Sequence, residues 1–527
     1  MKKSALYILI VIASVGTLVG MCVYYLSGGQ EVVEEYSDIG RPAEIFPDYS
    51  DVVIPANIAP LNFKVGESGS KYCVKIYSEK GEPIEVFSRT PKIVIDEARW
   101  HKLLDSNRGR KLKTEVFVKS KDGRWSRYQS ITNEIAREDI DGYLVYRRIR
   151  PTFSNWRQIG IHQRNLRGYD ESVVISNEYY KSGCVNCHAF CNNRTDKMTI
   201  GIRNLIYGSS ALLVKDGEVH KVGTKFGYTA WHPSGKVIAY SVNRVVQFFH
   251  STATEVRDVM DLDSLLAYYV VDSETVKTDP NISKKQRLET YPTWSPDGRY
   301  LYFCSAPLSW AKLDVVPPEG YDKIKYDLMR ISYDIDKDKW GELERVLSAK
   351  ETGRSILLPR ISPDGRWLLF CMCDYGCFPV YRRSSDLYLI DLEGGRQSGV
   401  YTPLRLDINS DESESWHSWS SNSRWVVFSS KRQRGTFTRS YISYVDSKGQ
   451  VHKPLVLPQK DPSHYDGCLW TYSVPELVVE PVRITKEKLS RVVRGNQKII
   501  ADFPVTQASP KVPAGSSYDE PWMSERE

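Results

Sequence analysis

Tyr291-Pro-Thr-Trp-Ser-Pro-Asp-Gly-Arg-Tyr-Leu-Tyr-Phe303 is the stretch on which the fold turns. Its first four residues read as a short strand. Ser-Pro-Asp-Gly then makes a tight turn, because Pro presets φ and Gly supplies a left-handed position at no steric cost. The chain returns as an apolar strand ending at Phe303. Leu358-Pro-Arg-Ile-Ser-Pro-Asp-Gly-Arg-Trp-Leu-Leu-Phe370 repeats the unit closely. Tyr228-Thr-Ala-Trp-His-Pro-Ser-Gly-Lys-Val-Ile-Ala-Tyr240 and His417-Ser-Trp-Ser-Ser-Asn-Ser-Arg-Trp-Val-Val-Phe428 are divergent copies. With Trp231, Trp294, Ile361 and Trp419 as equivalent positions, the differences of residue number are 63, 67 and 58. That spacing suits one small antiparallel sheet plus loops of variable length. Further strands at Asp327–Tyr333 and Asp386–Asp391 complete two of the sheets. No such sheet buries both faces alone, so the sheets are expected to stack in a ring, as the blades of a β-propeller.

Outward from the four copies, two more blades are expected. One covers Gly142–Tyr180, with strands at Leu144–Ile149 and Gln158–Arg164. The other covers residues 184–224, where Phe190 precedes Trp231 by 41 residues (the difference of their numbers). Six blades is the expected count, with seven or eight as the alternatives. Before the ring, short strand-like runs at Tyr72–Tyr77, Ile84–Phe87, Lys92–Ile95, Thr114–Lys119 and Trp125–Ile131 alternate with turn signals, and one short helix is expected at Glu97–Leu104. The fold class is therefore all-β. An anchor occupies residues 1–26, a tether 27–50, a small β-sandwich-like domain 51–135 and the propeller 136–465. Residues 466–504 close or brace the ring, and 505–527 form a Pro- and Ser-rich disordered tail.

The N-terminus sets the compartment. Lys2 and Lys3 precede an uncharged run from Ala5 to Leu26, long enough to cross a hydrocarbon core of about 30 Å as a helix. Glu31, Glu34 and Glu35 follow, which leaves the N-terminus in the cytoplasm and the body in the periplasm. A cleaved signal peptide and a lipoprotein acylated at Cys22 are the competing readings, but no small-x-small site ends the run and Met21 is too bulky for a good lipobox. Residues 5–26 thus name the cytoplasmic membrane as a partner. The 72 Lys and Arg against 65 Asp and Glu leave a net charge of +7, scattered along the chain. That pattern is a solvated surface, and no nucleic-acid partner is expected.

Ten cysteines suit an exported chain. Cys371, Cys373 and Cys377 cluster, as a disulfide with a spare thiol, as separate buried thiols or as a metal site; without paired C-x-x-C spacing the zinc signal is weak. Cys184-Val-Asn-Cys187-His188 carries the sharper chemistry. Two thiols separated by two residues can each form a thioether to one porphyrin vinyl group, and the adjacent imidazole then reaches the iron. A structural disulfide, a redox pair or half of a zinc site needs no His188, and no second C-x-x-C exists. For the sixth position Met198, ten residues past His188, and His417 are the candidates, with His232 and His162 weaker and a five-coordinate iron also open. Aligning Phe190 with Trp419 puts His188 and His417 at equivalent inner-strand positions, so both are expected to face the ring axis. No G-x-S-x-G elbow, P-loop, dinucleotide or paired-carboxylate motif stands out, so no hydrolase is expected.

The Ser-Pro-Asp-Gly units resemble the WD40-like PD40 repeats of the TolB family, over roughly residues 225–460. A wider set of segments resembles bacterial TolB-like propeller proteins with a single haem motif. It runs from Pro55-Ala-Asn-Ile-Ala-Pro-Leu-Asn-Phe63, through Cys184-Val-Asn-Cys-His188, to His417-Ser-Trp-Ser-Ser-Asn-Ser-Arg-Trp425. The resemblance implies covalent haem c on Cys184, Cys187 and His188, protein partners on the propeller face, and electron transfer or redox sensing. A non-enzymatic interaction scaffold with a structural Cys pair is the alternative.

Overall fold

The computed structural model describes residues 33–150, 158–181, 183–223, 226–250, 257–284, 286–310, 317–433, 435–496 and 499, with the backbone alone at Cys187. The expected anchor, Ala5–Leu26, and the tail after Val505 lie outside them. Among the described residues no helix is long and apolar enough to cross a membrane.

The chain is all-β, and six of its sheets are four-stranded and antiparallel. The second sheet runs outward through Cys184–Cys191, Arg194–Arg203, Ser210–Lys215 and Glu218–Val222. The third, fourth, fifth and sixth begin on Thr229–Trp231, Arg287–Trp294, Ser355–Ile361 and Glu414–Trp419, and each continues outward in chain order. The first is different. Its outer three strands are Tyr143–Ile149, Ile159–Asn165 and Glu171–Ser176, but its innermost is Thr471–Val478 from the far end of the chain. The innermost strands touch in cyclic order, and Thr471–Val478 touches both Glu414–Trp419 and Cys184–Cys191. The arrangement is propeller-like. The segment expected to close the ring does so by backbone pairing, which hides the two edges an open ring would expose.

Alternation along each strand sends neighbouring side chains into different layers. Ile238 packs against the second sheet with Ala211 and Leu213, whereas Val237 and Ala239 pack against the fourth with Leu301 and Phe303. Each fully buried aliphatic side chain contributes roughly 1.5–3 kcal/mol, so stability is spread over successive layers. The helix Lys486–Arg494, capped by Thr485, buries Leu489 and Val493 against the outside of the first two sheets.

The third sheet carries an arm. Val237–Phe249 and Arg257–Val270 run 13 and 14 residues, longer than the strands beside them. The excess leaves the sheet as a hairpin and reaches the fourth and fifth sheets, where Trp310 Nε1 donates to the Leu262 carbonyl at 3.0 Å. Asp258, 1% exposed, pairs there with Arg382 and accepts from Tyr375 and His250, both at 3.2 Å.

The N-terminal module has a seven-stranded sheet, a three-stranded sheet and the helix Glu97–Ser106, whose cap Asp96 accepts from Arg99 N–H. It begins earlier than expected. Tyr36–Pro42 pairs in parallel with Trp125–Gln129, and Ala43, Ile45 and Tyr49 are buried, so residues 36–50 are part of the module and not a tether. Polar composition misled here, because an edge strand is held by backbone hydrogen bonds whatever its side chains. The module docks on the ring through Tyr49 O–H to the Val456 carbonyl, 3.4 Å, and Lys453 to Asp48, 2.8 Å.

Candidate functional site

The ring axis is built by a repeated irregularity. Tyr291, Leu358, Trp416 and Val474 have φ of 54°, 55°, 45° and 50°, a left-handed backbone that bulky L-residues rarely adopt. Each sits at a register shift of the innermost strand. A bulge re-aims side chains, and all four residues turn to a common cavity of about 40 Å³ on the axis. Pro292, Pro359 and Pro475 follow three of them, which is where a strand tolerates the missing N–H. The second sheet shifts register between Asn186 and Ala189. Cys187-His188 therefore occupies the position of Tyr291-Pro292, Leu358-Pro359 and Trp416-His417. The expected equivalence of His188 and His417 holds.

Their surroundings differ. His188 is 3% exposed and lines the axial cavity with Asn186, Tyr228, Tyr291, Arg360 and Trp416; among the described residues its ring nitrogens make no hydrogen bond of ordinary geometry, only weaker contacts to the Val145 and Val474 carbonyls. Burial first, then the charges of Arg147 and Arg360, push its pKa down to about 3, although the Val145 and Val474 carbonyls oppose this. The imidazole is thus neutral at any physiological pH. Arg147 donates to the Asn186 side chain at 2.7 Å, and Arg360 pairs with Glu476 at 2.7 Å. Tyr228, Tyr291 and Trp416 pack together, with ring centroids 4.2 to 6.2 Å apart, and wall the cavity.

His417 turns into the layer between the fifth and sixth sheets, where Nε2 meets the Leu369 carbonyl at 3.0 Å and Nδ1 the Cys371 thiol at 3.8 Å. Met198 pairs with Phe190 just as Leu301 pairs with Trp294 and Leu368 with Ile361. That register position faces the apolar layer, and Met198 is buried there with Val145, Ile161 and Val214. The structure brings neither candidate sixth ligand to the cavity. His232 is held in its turn by Ser234 and the Gly298 carbonyl, and His162 faces Glu171 at 3.1 Å. Among the described residues no three His, Cys, Asp or Glu side chains are placed to hold a metal ion.

Cys184 is buried beside Val185 and Ile202, with the Arg203 guanidinium 3.7 Å from its sulfur. For a haem iron the donor chemistry fits, since His188 presents a neutral, weakly held imidazole four residues from the Cys184 thiol. The volume does not. A 40 Å³ cavity holds a few waters, whereas cofactor sites run to about 300–1,000 Å³. A macrocycle at His188 requires Cys184–His188 or the aromatic wall to stand elsewhere than here.

Of the second cysteine cluster, the disulfide is not formed. Cys371, Cys373 and Cys377 are buried free thiols that turn to separate carbonyls, of Glu414, Tyr375 and Val259. Burial holds all three well above the ordinary thiol range, Cys373 at about 12.

Against family models and curated protein sequences the chain has no match. Many solved structures show weak likeness, three of which follow. A prolyl endopeptidase is 12% identical with a TM-score of 0.34, over 60% of this chain and 42% of its own, so the chain spans less than half of that protein. A luciferin-regenerating enzyme is 9% identical with a TM-score of 0.34, over 60% and 86%. An oligogalacturonate lyase from Vibrio parahaemolyticus is 11% identical with a TM-score of 0.32, over 73% and 100%. At these scores the activities of those enzymes do not transfer.

One cysteine that stands isolated in the sequence acquires partners in the fold. Cys468 is half-buried in a groove of about 610 Å³ between the N-terminal module and the sixth sheet. Its thiol lies 3.9 Å from Tyr472 Oη, which is 3.1 Å from His464 Nε2. Burial raises its pKa, but His464, the Trp470 backbone N–H and the Arg439 charge outweigh that and bring it down to about 7. His464, four residues earlier, was the available signal.

Proposed function

We propose that this chain is a six-bladed TolB-like propeller protein, anchored in the cytoplasmic membrane by residues 5–26 with its body in the periplasm, that carries haem c on Cys184, Cys187 and His188. The observation that carries the reading is the neutral imidazole of His188 on the ring axis, within the attachment motif and without a hydrogen bond of ordinary geometry. Bound haem would supply one-electron chemistry. The chain's own residues would hold and tune it. His188 would ligate the iron, and the Arg147 and Arg360 charges would disfavour the extra positive charge of the oxidised state and so raise the potential. Electron transfer or redox sensing is the role this supports.

A second reading, a non-enzymatic interaction scaffold with structural thiols, is favoured by the size of the cavity. Expression with c-type maturation machinery separates the two. The haem reading expects a haem spectrum in the wild type and none in a Cys184→Ala, Cys187→Ala double variant. It expects His188→Ala to retain attachment with a shifted spectrum. A wild type without haem absorbance would leave the scaffold.

A further inference from the structure

We propose that a recess on the rim of the ring, between the fourth and fifth sheets, binds a compact polyanion bearing several phosphate or carboxylate groups. The recess encloses about 420 Å³, within the range of small-molecule sites. Among the described residues five cationic side chains line it, Arg287, Lys323, Lys325, Arg345 and Lys350, against one carboxylate, Asp327. They come from separate elements. Arg287 opens the inner strand of the fourth sheet, Asp327 opens its third strand, and Arg345 lies on its fourth strand, Lys339–Leu347. Lys350 lies in the turn of helix Ala349–Thr352 that leads into the fifth sheet.

The one carboxylate is already engaged, accepting the Ala349 N–H at 2.8 Å and facing Arg287 at 3.6 Å. Arg287 is fixed on Ser305, with Nε to the hydroxyl at 2.7 Å and a terminal nitrogen to the carbonyl at 3.1 Å. Lys325 reaches the Gly353 carbonyl at 2.6 Å. Lys323, Arg345 and Lys350 form no ion pair among the described residues. The contrast lies in the larger groove around Cys468, where Lys453 pairs with Asp48 at 2.8 Å, Arg432 with Glu414 at 3.2 Å, and Lys64 with Asp466. Here five cations share a single carboxylate around a concave surface. Such an arrangement repels itself and concentrates anions. Each exposed pair contributes little alone, so the ligand that gains is one that meets several cations at once. Arg345 offers a fork for a planar or tetrahedral oxyanion, and the lysines offer adaptable point charges.

Titration calorimetry of the full chain at low salt, with tripolyphosphate and with citrate as probes at ionic strength matched by chloride, tests this. Saturable one-to-one binding of either probe, weakening steeply as salt rises, is expected. Tripolyphosphate alone would identify phosphate as the chemistry, and citrate alone carboxylate. Lys323→Glu with Arg345→Glu should weaken binding at least tenfold, and Lys323→Gln, at an exposed side chain, by a smaller factor. Lys121→Glu, on the N-terminal module, should leave it unchanged. Absence of saturable binding by both probes, or binding that survives the double charge reversal, would overturn the proposal.

Discussion

His188 and His417 show how little a side chain's role follows from its place in a repeat. They share one register position, yet one faces the axis without a hydrogen bond of ordinary geometry and the other is consumed by a carbonyl and a thiol. Met198 is decided the other way, by its equivalence to Leu301 and Leu368. Met198→Ala should therefore behave as a core truncation, costing about 2–5 kcal/mol in denaturant unfolding. It should leave the visible spectrum of matured protein unchanged. Cys468 is the described thiol whose pKa falls, whereas burial raises those of Cys191, Cys304, Cys371, Cys373 and Cys377. Thiolate is the attacking form, so alkylation of the native protein by iodoacetamide should start at Cys468. Its rate should be low below pH 6 and climb through about pH 7 as the thiol ionises. Peptide mapping of the labelled protein reads the site.

At the scale of elements, the arm of the third sheet turns a ring of similar sheets into one with a distinct face. Its tether is the Asp258 carboxylate, 1% exposed, with Arg382 as the charge that compensates it. Removing one partner of a buried pair leaves the other uncompensated, at about 3–5 kcal/mol. Tyr375, His250 and the Val259 N–H still solvate Asp258, which places Arg382→Ala at the low end. Hydrogen exchange should report faster amide exchange along Val242–Phe249 and Arg257–Leu262 than along the fourth sheet. Uniform protection of the arm in the variant would show that its apolar contacts suffice. The sequence carried a signal for this arm, two long strand-like runs in succession, but the search for repeats of equal size passes over it.

The whole molecule depends on its far end. Thr471–Val478 supplies the innermost strand of a sheet whose other strands begin at Tyr143. Truncation after Leu469 should abolish cooperative melting and not merely trim the chain, because the ring would open at two edges. A truncated chain that still melts in one sharp transition would refute closure by that strand. The fourth and fifth sheets were legible because Ser-Pro-Asp-Gly encodes a turn, and the first and second only through spacing. The module's start at Tyr36 was not legible, since Tyr36–Pro42 is polar and exposed, and its parallel pairing and its contacts to Arg127 and Phe117 are with residues far along the chain. The axial cavity was legible in part. Cys-x-x-Cys-His marked His188, but nothing local announces that Tyr228, Tyr291 and Trp416, from three sheets, close in around it.

The central claim, covalent haem at this motif, is tested most directly by mass spectrometry of the tryptic peptide of residues 182–194. It should come from full-length protein expressed with c-type maturation machinery, denatured and alkylated before digestion. The account predicts a peptide carrying one haem, with Cys184 and Cys187 resistant to alkylation and Cys191 alkylated. A peptide without haem, alkylated at all three cysteines, would contradict it.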